Sequence, residues 1–151
     1  MLEKILDKYP PQKDYLLEIL LDVQNSKNDQ FLSEEEIHTI ASHLKLPEAQ
    51  VSSAVTFYTF FSTQPRGEYV IQVCKDIPCY INSSQSIVDT IKRELGISMG
   101  ETTKDGYFTV EHTSCLGICD GAPAVRIGNK THTNLTDNKM TALLAEYRGR
   151  Q

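Results

Sequence analysis

The first third of the chain repeats apolar residues at helical spacing, and this pattern predicts three helices. The first covers residues 13–24 and is apolar on nearly every side, as expected of a helix buried between neighbours. The second begins with Ser33 and Glu36 in the positions of a capping box, followed by a single apolar stripe. The third begins at Pro47, a residue favoured in the first turn of a helix. We therefore expect a three-helix bundle in residues 1–66.

The third predicted helix ends in a cluster of aromatic residues. It consists of Phe57, Tyr58, Phe60 and Phe61. Aromatic side chains so close together cannot all face one core, so some of them should contact the second half of the chain or another subunit. The simpler interpretation is that they hold the two halves of the chain together, since aromatic side chains often serve as core.

The pattern changes after a break at residues 64–67. Residues 68–73 alternate and are rich in β-forming side chains, which predicts a strand that ends at Cys74. Apolar residues at helical spacing follow in residues 84–95, and Gly96 should end this helix. This part of the chain is therefore expected to form a strand, a cysteine loop and a helix.

Three more strands and a final helix are predicted in the rest of the chain. The predicted strands cover residues 107–111, 124–127 and 130–133. The last two strands flank Gly128 as a hairpin, and the helix begins at Thr136. The order β-α-β-β-β-α is that of a thioredoxin-like α/β domain, which we place in residues 67–151.

The four cysteines of the chain form two close pairs. Four residues separate Cys74 from Cys79, and three separate Cys115 from Cys119. Both pairs follow predicted strands, so the loops that carry them can converge at one edge of the sheet. Four cysteine sulfurs are what a 2Fe–2S cluster needs, because each iron takes two of them.

Other uses of four cysteines stay open on spacing alone. The pairs of a structural zinc site most often have two residues between the cysteines, and neither pair here does. A redox dithiol needs the spacing Cys-x-x-Cys, which is also absent. Disulfide bonds need an oxidising compartment, and the N-terminal residues lack the apolar stretch of a signal peptide. The spacing therefore favours a cluster over zinc, disulfides or free thiols, and we expect a cytoplasmic location.

Composition and charge exclude several kinds of partner. The chain of 151 residues carries a net charge of -5 and has no basic cluster, so nucleic acid and anionic membranes are not expected partners. No stretch is long and apolar enough to insert into a membrane. No glycine-rich nucleotide motif is present, so any chemistry at NADH must belong to another subunit.

Four stretches of the chain carry a family resemblance. They are residues 54–61, 71–79, 100–109 and 115–123. In these stretches, and over nearly its whole length, the chain resembles the thioredoxin-like 2Fe–2S subunit of NADH dehydrogenases, the small iron–sulfur subunit in the peripheral arm of respiratory complex I. Related subunits occur in soluble NAD-linked and electron-bifurcating hydrogenases and in formate dehydrogenases. The resemblance implies the following ligands of one 2Fe–2S cluster: Cys74, Cys79, Cys115 and Cys119.

The resemblance also implies a role as one subunit of an NADH-linked oxidoreductase. The partner would be a flavoprotein that carries FMN and the NADH site and exchanges single electrons with the cluster. No catalytic residues are expected in this chain itself. The partner should contact the exposed parts of the two cysteine loops, namely Lys75, Asp76, Ile77 and Leu116.

Two alternatives to this role differ in partner and in metal. A free-standing 2Fe–2S ferredoxin acting as a diffusible carrier would need only the cluster domain, so the helical first third favours a permanent partner. A zinc-stapled interaction module would contain zinc in place of iron.

Overall fold

Helices alone make up the first part of the chain, and a sheet with helices makes up the rest. The computed structural model, which describes residues 2–149, divides between Arg66 and Gly67 into two compact units. None of the helices in the described residues is long and apolar enough to cross a membrane.

The first unit contains the three predicted helices and one that was not predicted. Its helices are α1 (Leu2–Leu6), α2 (Leu16–Asn25), α3 (Glu34–Leu44) and α4 (Glu48–Phe57). Because α1 adds Ile5 and Leu6 to the core, the bundle within residues 2–66 has four helices rather than three. With only 5 residues, α1 is too short to show a helical repeat in the sequence.

The start of α3 is fixed by the capping box that the sequence predicts. The Ser33 hydroxyl accepts a hydrogen bond from the Glu36 N–H at 3.3 Å, and the Ser33 N–H donates to the Glu36 carboxylate at 2.8 Å. The Lys27 ammonium lies 2.7 Å from the same carboxylate. Burial raises the pKa of Glu36, but the hydrogen bonds from Lys27 and Ser33 outweigh it and hold the pKa below its usual value.

The aromatic cluster at the end of α4 divides between core and surface. Phe61 is buried in the core of the first unit, whereas Phe57 and Phe60 are exposed. The buried Gln24 holds the turn that follows, because its amide donates to the Phe60 carbonyl and accepts from the Ser62 N–H. That the aromatic side chains do not share one core is confirmed, and their contact with another subunit stays a prediction.

The second unit is built on a sheet of four strands in the described residues. The strands are β1 (Tyr69–Cys74), β2 (Phe108–Thr113), β3 (Val125–Ile127) and β4 (Lys130–His132). The helices are α5 (Ile77–Ile81), α6 (Ser84–Leu95) and α7 (Asp137–Arg148). The sheet order is β2-β1-β3-β4, in which β1 and β2 are parallel and the other pairs are antiparallel.

The long helices α6 and α7 pack against the sheet. Ile71 and Val73 of β1 point to the same face and share a core with Ile91 of α6 and Leu144 of α7. The helix α6 is the crossover between the parallel strands β1 and β2. The predicted order of strands and long helices is confirmed, and α5 is an addition to it.

Candidate metal centre

Both cysteine pairs lie at the edge of the sheet where the parallel strands β1 and β2 end. Cys74 is the last residue of β1 and lies opposite Thr113, the last residue of β2. The Cys74 N–H donates to the Ala124 carbonyl at 3.2 Å, and the Lys75 N–H donates to the Thr113 carbonyl at 3.2 Å. These backbone bonds hold the start of the first cysteine loop between the two neighbouring strands.

The short helix α5 carries the second cysteine of the first pair. We expected a loop between Cys74 and Cys79, and this was wrong. Pro78 lies in the first turn of α5, where a backbone N–H has no helical partner to lose. The helix turns Cys79 inward, with 3% of its surface exposed, close to the 2% of Cys74. It turns three large apolar side chains outward, with 74%, 68% and 73% exposed: Ile77, Tyr80 and Ile81.

The second pair lies in an exposed loop. Cys115 follows β2, and Cys119 begins a single 3-10 turn that ends at Gly121. Both cysteines are exposed, and their Sγ atoms are 3.4 Å apart. The Gly117 N–H donates to Cys115 Sγ across 3.4 Å. The short separation of the two sulfurs suits a pair that binds the same iron.

Apolar side chains of the second loop pack against the first pair. Cys74, Cys79 and Ala124 form a small buried cluster, and Leu116 and Ile118 are partly buried against it. The second loop therefore meets the segment that carries the first pair, as expected from their positions after parallel strands.

The end of the second loop is fixed by a close contact with the segment after β4. Gly121 is buried, and a Cβ atom in its place would lie 2.7 Å from the Cβ of Thr133. The Gly121 carbonyl accepts a hydrogen bond from the Asn134 N–H at 2.7 Å. Only glycine fits this contact without a shift of the backbone.

The thiol groups of the two pairs influence one another. Burial raises the pKa of Cys79 to about 11; the Ala124 backbone lowers the pKa, and Cys74 raises it further. The pKa of Cys119 is raised, first by its hydrogen bond with Cys115 and then by burial. In addition, the charge of Cys119 raises the pKa of Cys79, and the charge of Cys74 raises the pKa of Cys119. The two pairs therefore lie within electrostatic range of each other. Four thiolates at this edge need a compensating positive charge, which metal ions supply.

The donor set fits a 2Fe–2S cluster. Cysteine sulfur is the usual ligand of such clusters, and all four cysteines are free of disulfides. The Gly117 N–H already donates to Cys115, and the Ala124 backbone lowers the pKa of Cys79. Among residues 2–149, no three or more His, Cys, Asp or Glu side chains surround a single metal position. A two-iron cluster does not require such a group, because each iron takes one pair of sulfurs.

Comparison with known families decides between the uses of four cysteines that spacing left open. The profile of the thioredoxin-like [2Fe-2S] ferredoxins matches residues 2–148. The chain belongs to this family. The cofactor of this thioredoxin-like ferredoxin is therefore a 2Fe–2S cluster, and the family resemblance found in the sequence is confirmed.

Curated relatives of this thioredoxin-like ferredoxin are named as subunits. A subunit of the NADH-quinone oxidoreductase of Rickettsia felis is 37% identical over 146 residues, which are 96% of this chain and 87% of the relative. The HndA subunit of the NADP-reducing hydrogenase of Solidesulfovibrio fructosivorans is 33% identical over 144 residues, which are 95% of this chain and 83% of the relative.

Solved structures share the fold of this ferredoxin. A chain of an NAD+-reducing [NiFe]-hydrogenase in the H2-reduced state matches 93% of the ferredoxin with a TM-score of 0.81 at 21% identity. A chain of the air-oxidized state matches 87% of it with a TM-score of 0.75 at 22% identity. The ferredoxin spans only 23% of each of these hydrogenase chains. The likeness is one of fold, and together with the family it confirms the thioredoxin-like α/β architecture.

The residues predicted to face a partner differ in exposure. Lys75 and Ile77 are exposed, whereas Asp76 and Leu116 are half-buried. Leu116 also packs against the first cysteine pair. The two further exposed apolar residues of α5 were missed, because no helical repeat marks this short helix in the sequence.

Proposed function

We propose that this ferredoxin is the electron-transfer subunit of a multi-subunit NAD-linked oxidoreductase. It exchanges single electrons with the FMN of a partner flavoprotein that oxidises NADH. When bound, the 2Fe–2S cluster supplies one-electron chemistry. The observation that carries the proposal is the meeting of two cysteine pairs at one edge of a thioredoxin-like sheet.

The proposed ligands are the four cysteines of these pairs: Cys74, Cys79, Cys115 and Cys119. The end of β1 and the helix α5 position the first pair, and the loop after β2 positions the second. The Gly117 N–H donates to the Cys115 sulfur, which partly compensates the negative charge of that thiolate.

The proposed docking surface for the flavoprotein is the outer side of α5. Ile77, Tyr80 and Ile81 are largely exposed there, and adjacent exposed apolar side chains are typical of protein interfaces. The same short helix carries Cys79, so a partner bound at α5 lies next to a proposed ligand. Lys75 lies just before this helix and is exposed as well.

The complex that contains this subunit is of the NADH dehydrogenase, hydrogenase or formate dehydrogenase type. Relatives from the first two types are at least 33% identical to the chain and are named as subunits. Because the sequence has no nucleotide-binding motif, the NADH site belongs to the partner. The expected location is the cytoplasm, where thiols stay reduced until a metal binds them.

Metal analysis and electron paramagnetic resonance of the purified chain test the cluster ligands. We expect about two irons per chain and a rhombic signal that appears on reduction with dithionite. Replacing any of the four cysteines should lower the iron content, whereas Ser86→Ala, at an exposed pair with Asp137 outside the cysteine loops, should not. About one zinc per chain without a signal would instead support the zinc-stapled module.

Co-purification with the co-expressed flavoprotein subunit tests the docking surface. Ile81→Asp should weaken the association at least about tenfold, because it places a charge in an apolar contact. Leu21→Asp on α2 is the control, since it makes the same kind of change at another exposed apolar residue. FMN bound per ferredoxin chain is the readout. A wild-type chain that never retains the flavoprotein would instead support a diffusible carrier.

A further inference from the structure

A backbone hydrogen bond reaches the sulfur of Cys115 from within its own loop. Its donor is the Gly117 N–H, which lies 3.4 Å from Cys115 Sγ. The φ angle of Gly117 is +80°, in the left-handed region that side chains rarely adopt. The direction of this N–H is therefore tied to a backbone conformation that glycine reaches at little cost.

Steric crowding does not explain why residue 117 is a glycine. A Cβ atom added to Gly117 would meet no other atom within 4 Å. Gly121 in the same loop is different, because its Cβ would collide with Thr133. What Gly117 contributes is thus a conformation, and the visible result of that conformation is the bond to the Cys115 sulfur.

The backbone beside the first cysteine pair is held in another way. The Cys74 N–H donates to the Ala124 carbonyl, and the Ala124 backbone lowers the pKa of Cys79. Ala124 is buried next to β3, so the neighbouring strands hold its backbone in place. The second pair lies in a loop, and the N–H that donates to its Cys115 sulfur depends on the conformation of Gly117.

A hydrogen bond to a ligand sulfur acts on the reduction potential of an iron–sulfur cluster. Reduction adds one electron and makes the cluster more negative by one charge. An N–H dipole that points at the sulfur stabilises this extra charge, so the bond favours the reduced form and raises the potential.

We propose that Gly117 is a positioning residue that raises the reduction potential of the cluster through its N–H bond to Cys115. This inference rests on the proposed function, since it requires Cys115 to be a cluster ligand. It goes further in assigning a role to a residue that is not itself a ligand.

Redox titration of the purified, iron-loaded chain tests this role. In Gly117→Ala the residue should leave the left-handed conformation and lose the bond, so the midpoint potential should fall below that of the wild type. Gly106→Ala is the matched control. Its φ is +69°, and its added Cβ also meets nothing within 4 Å, but it lies in the turn before β2. The control should leave the potential unchanged.

A second variant tests whether the fall in potential follows the cost of the left-handed conformation. Asparagine tolerates the left-handed region better than alanine, so Gly117→Asn should show a smaller fall in potential than Gly117→Ala. The order wild type above asparagine above alanine would support the proposal. Equal potentials in all three loaded proteins would overturn it.

The iron content distinguishes failure of the proposed function from failure of the proposed role of Gly117. If the wild-type chain takes up no iron, the proposed function fails, and this inference fails with it. If Gly117→Ala is the only protein that takes up no iron, the potential of Gly117→Asn is compared with that of the wild type. A potential below that of the wild type supports the role of Gly117, and a potential equal to it overturns that role.

Discussion

The two cysteine pairs of this ferredoxin place the proposed cluster ligands in opposite surroundings. Cys74 and Cys79 are buried, one at the end of a paired strand and the other on a helix. Cys115 and Cys119 are exposed in a loop. One pair is thus positioned by packing and the other by backbone conformation. Substitutions and reagents should therefore act differently on the two pairs.

The largest difference is expected when a ligand is changed to serine. A metal–oxygen bond is shorter than a metal–sulfur bond, so the ligand must move towards the metal. In Cys79→Ser the residue is buried on the inner side of α5 and resists this movement, so iron binding should be lost. In Cys119→Ser the exposed loop can move, and a measurable fraction of the iron should remain.

Iron per chain and visible absorption measure this contrast after reconstitution of both serine variants. The corresponding alanine variants are the controls, since they offer no oxygen ligand at all. Equal losses in the two serine variants would show that burial does not distinguish the pairs.

A smaller but clear difference is expected in thiol reactivity before iron is added. Alkylation requires access to the sulfur, and only the second pair is exposed. Cys115 and Cys119 should therefore react at least about tenfold faster than Cys74 and Cys79. Mass spectrometry of peptides at successive times gives the four rates. In denaturant the rates should converge, and a spread that persists there would point to causes other than burial.

A moderate loss of stability is expected at the end of the second loop. In Gly121→Ala the new Cβ would lie 2.7 Å from the Cβ of Thr133, and overpacking of this kind costs about 1–3 kcal/mol. The free energy of unfolding in urea measures the loss. In a Thr133→Gly background the same change should cost less. An unchanged cost there would place the strain elsewhere.

The smallest effect is expected from removing residues 1–66. All four cysteines and every contact described around them lie in the second unit. The remaining chain should show the circular dichroism of a folded α/β domain and keep the iron content and the resonance signal of the full chain. This tests the prediction that residues 67–151 form a separate domain. A truncated chain that folds but binds no iron would refute the assignment of the cluster to this unit alone.

The sequence predicted the long elements because their apolar repeats extend over several residues. It predicted that the cysteine loops would meet, since loops after parallel strands share one edge of the sheet. It missed α1 and α5, each of 5 residues, because so short a segment shows no repeat. Pro78 was the only sign of α5, and proline fits a loop equally well.

The backbone groups that act on the sulfurs lay beyond prediction for a different reason. Ala124 acts on Cys79 through its backbone, and nothing in the identity of residue 124 indicates where that backbone lies. A glycine between two cysteines suggests a turn, but not the φ of +80° at Gly117. Nor does the spacing of the pairs indicate which of them is buried. These features depend on how the loops pack, which the linear pattern does not contain.

The packing of Leu116 and Ile118 against the first pair makes the four cysteine sulfurs unequally accessible from solvent. Cys115 and Cys119 lie at the surface, whereas Cys74 and Cys79 lie beneath the side chains of the second loop. A reagent or metal ion that approaches from solution therefore meets the second pair before the first.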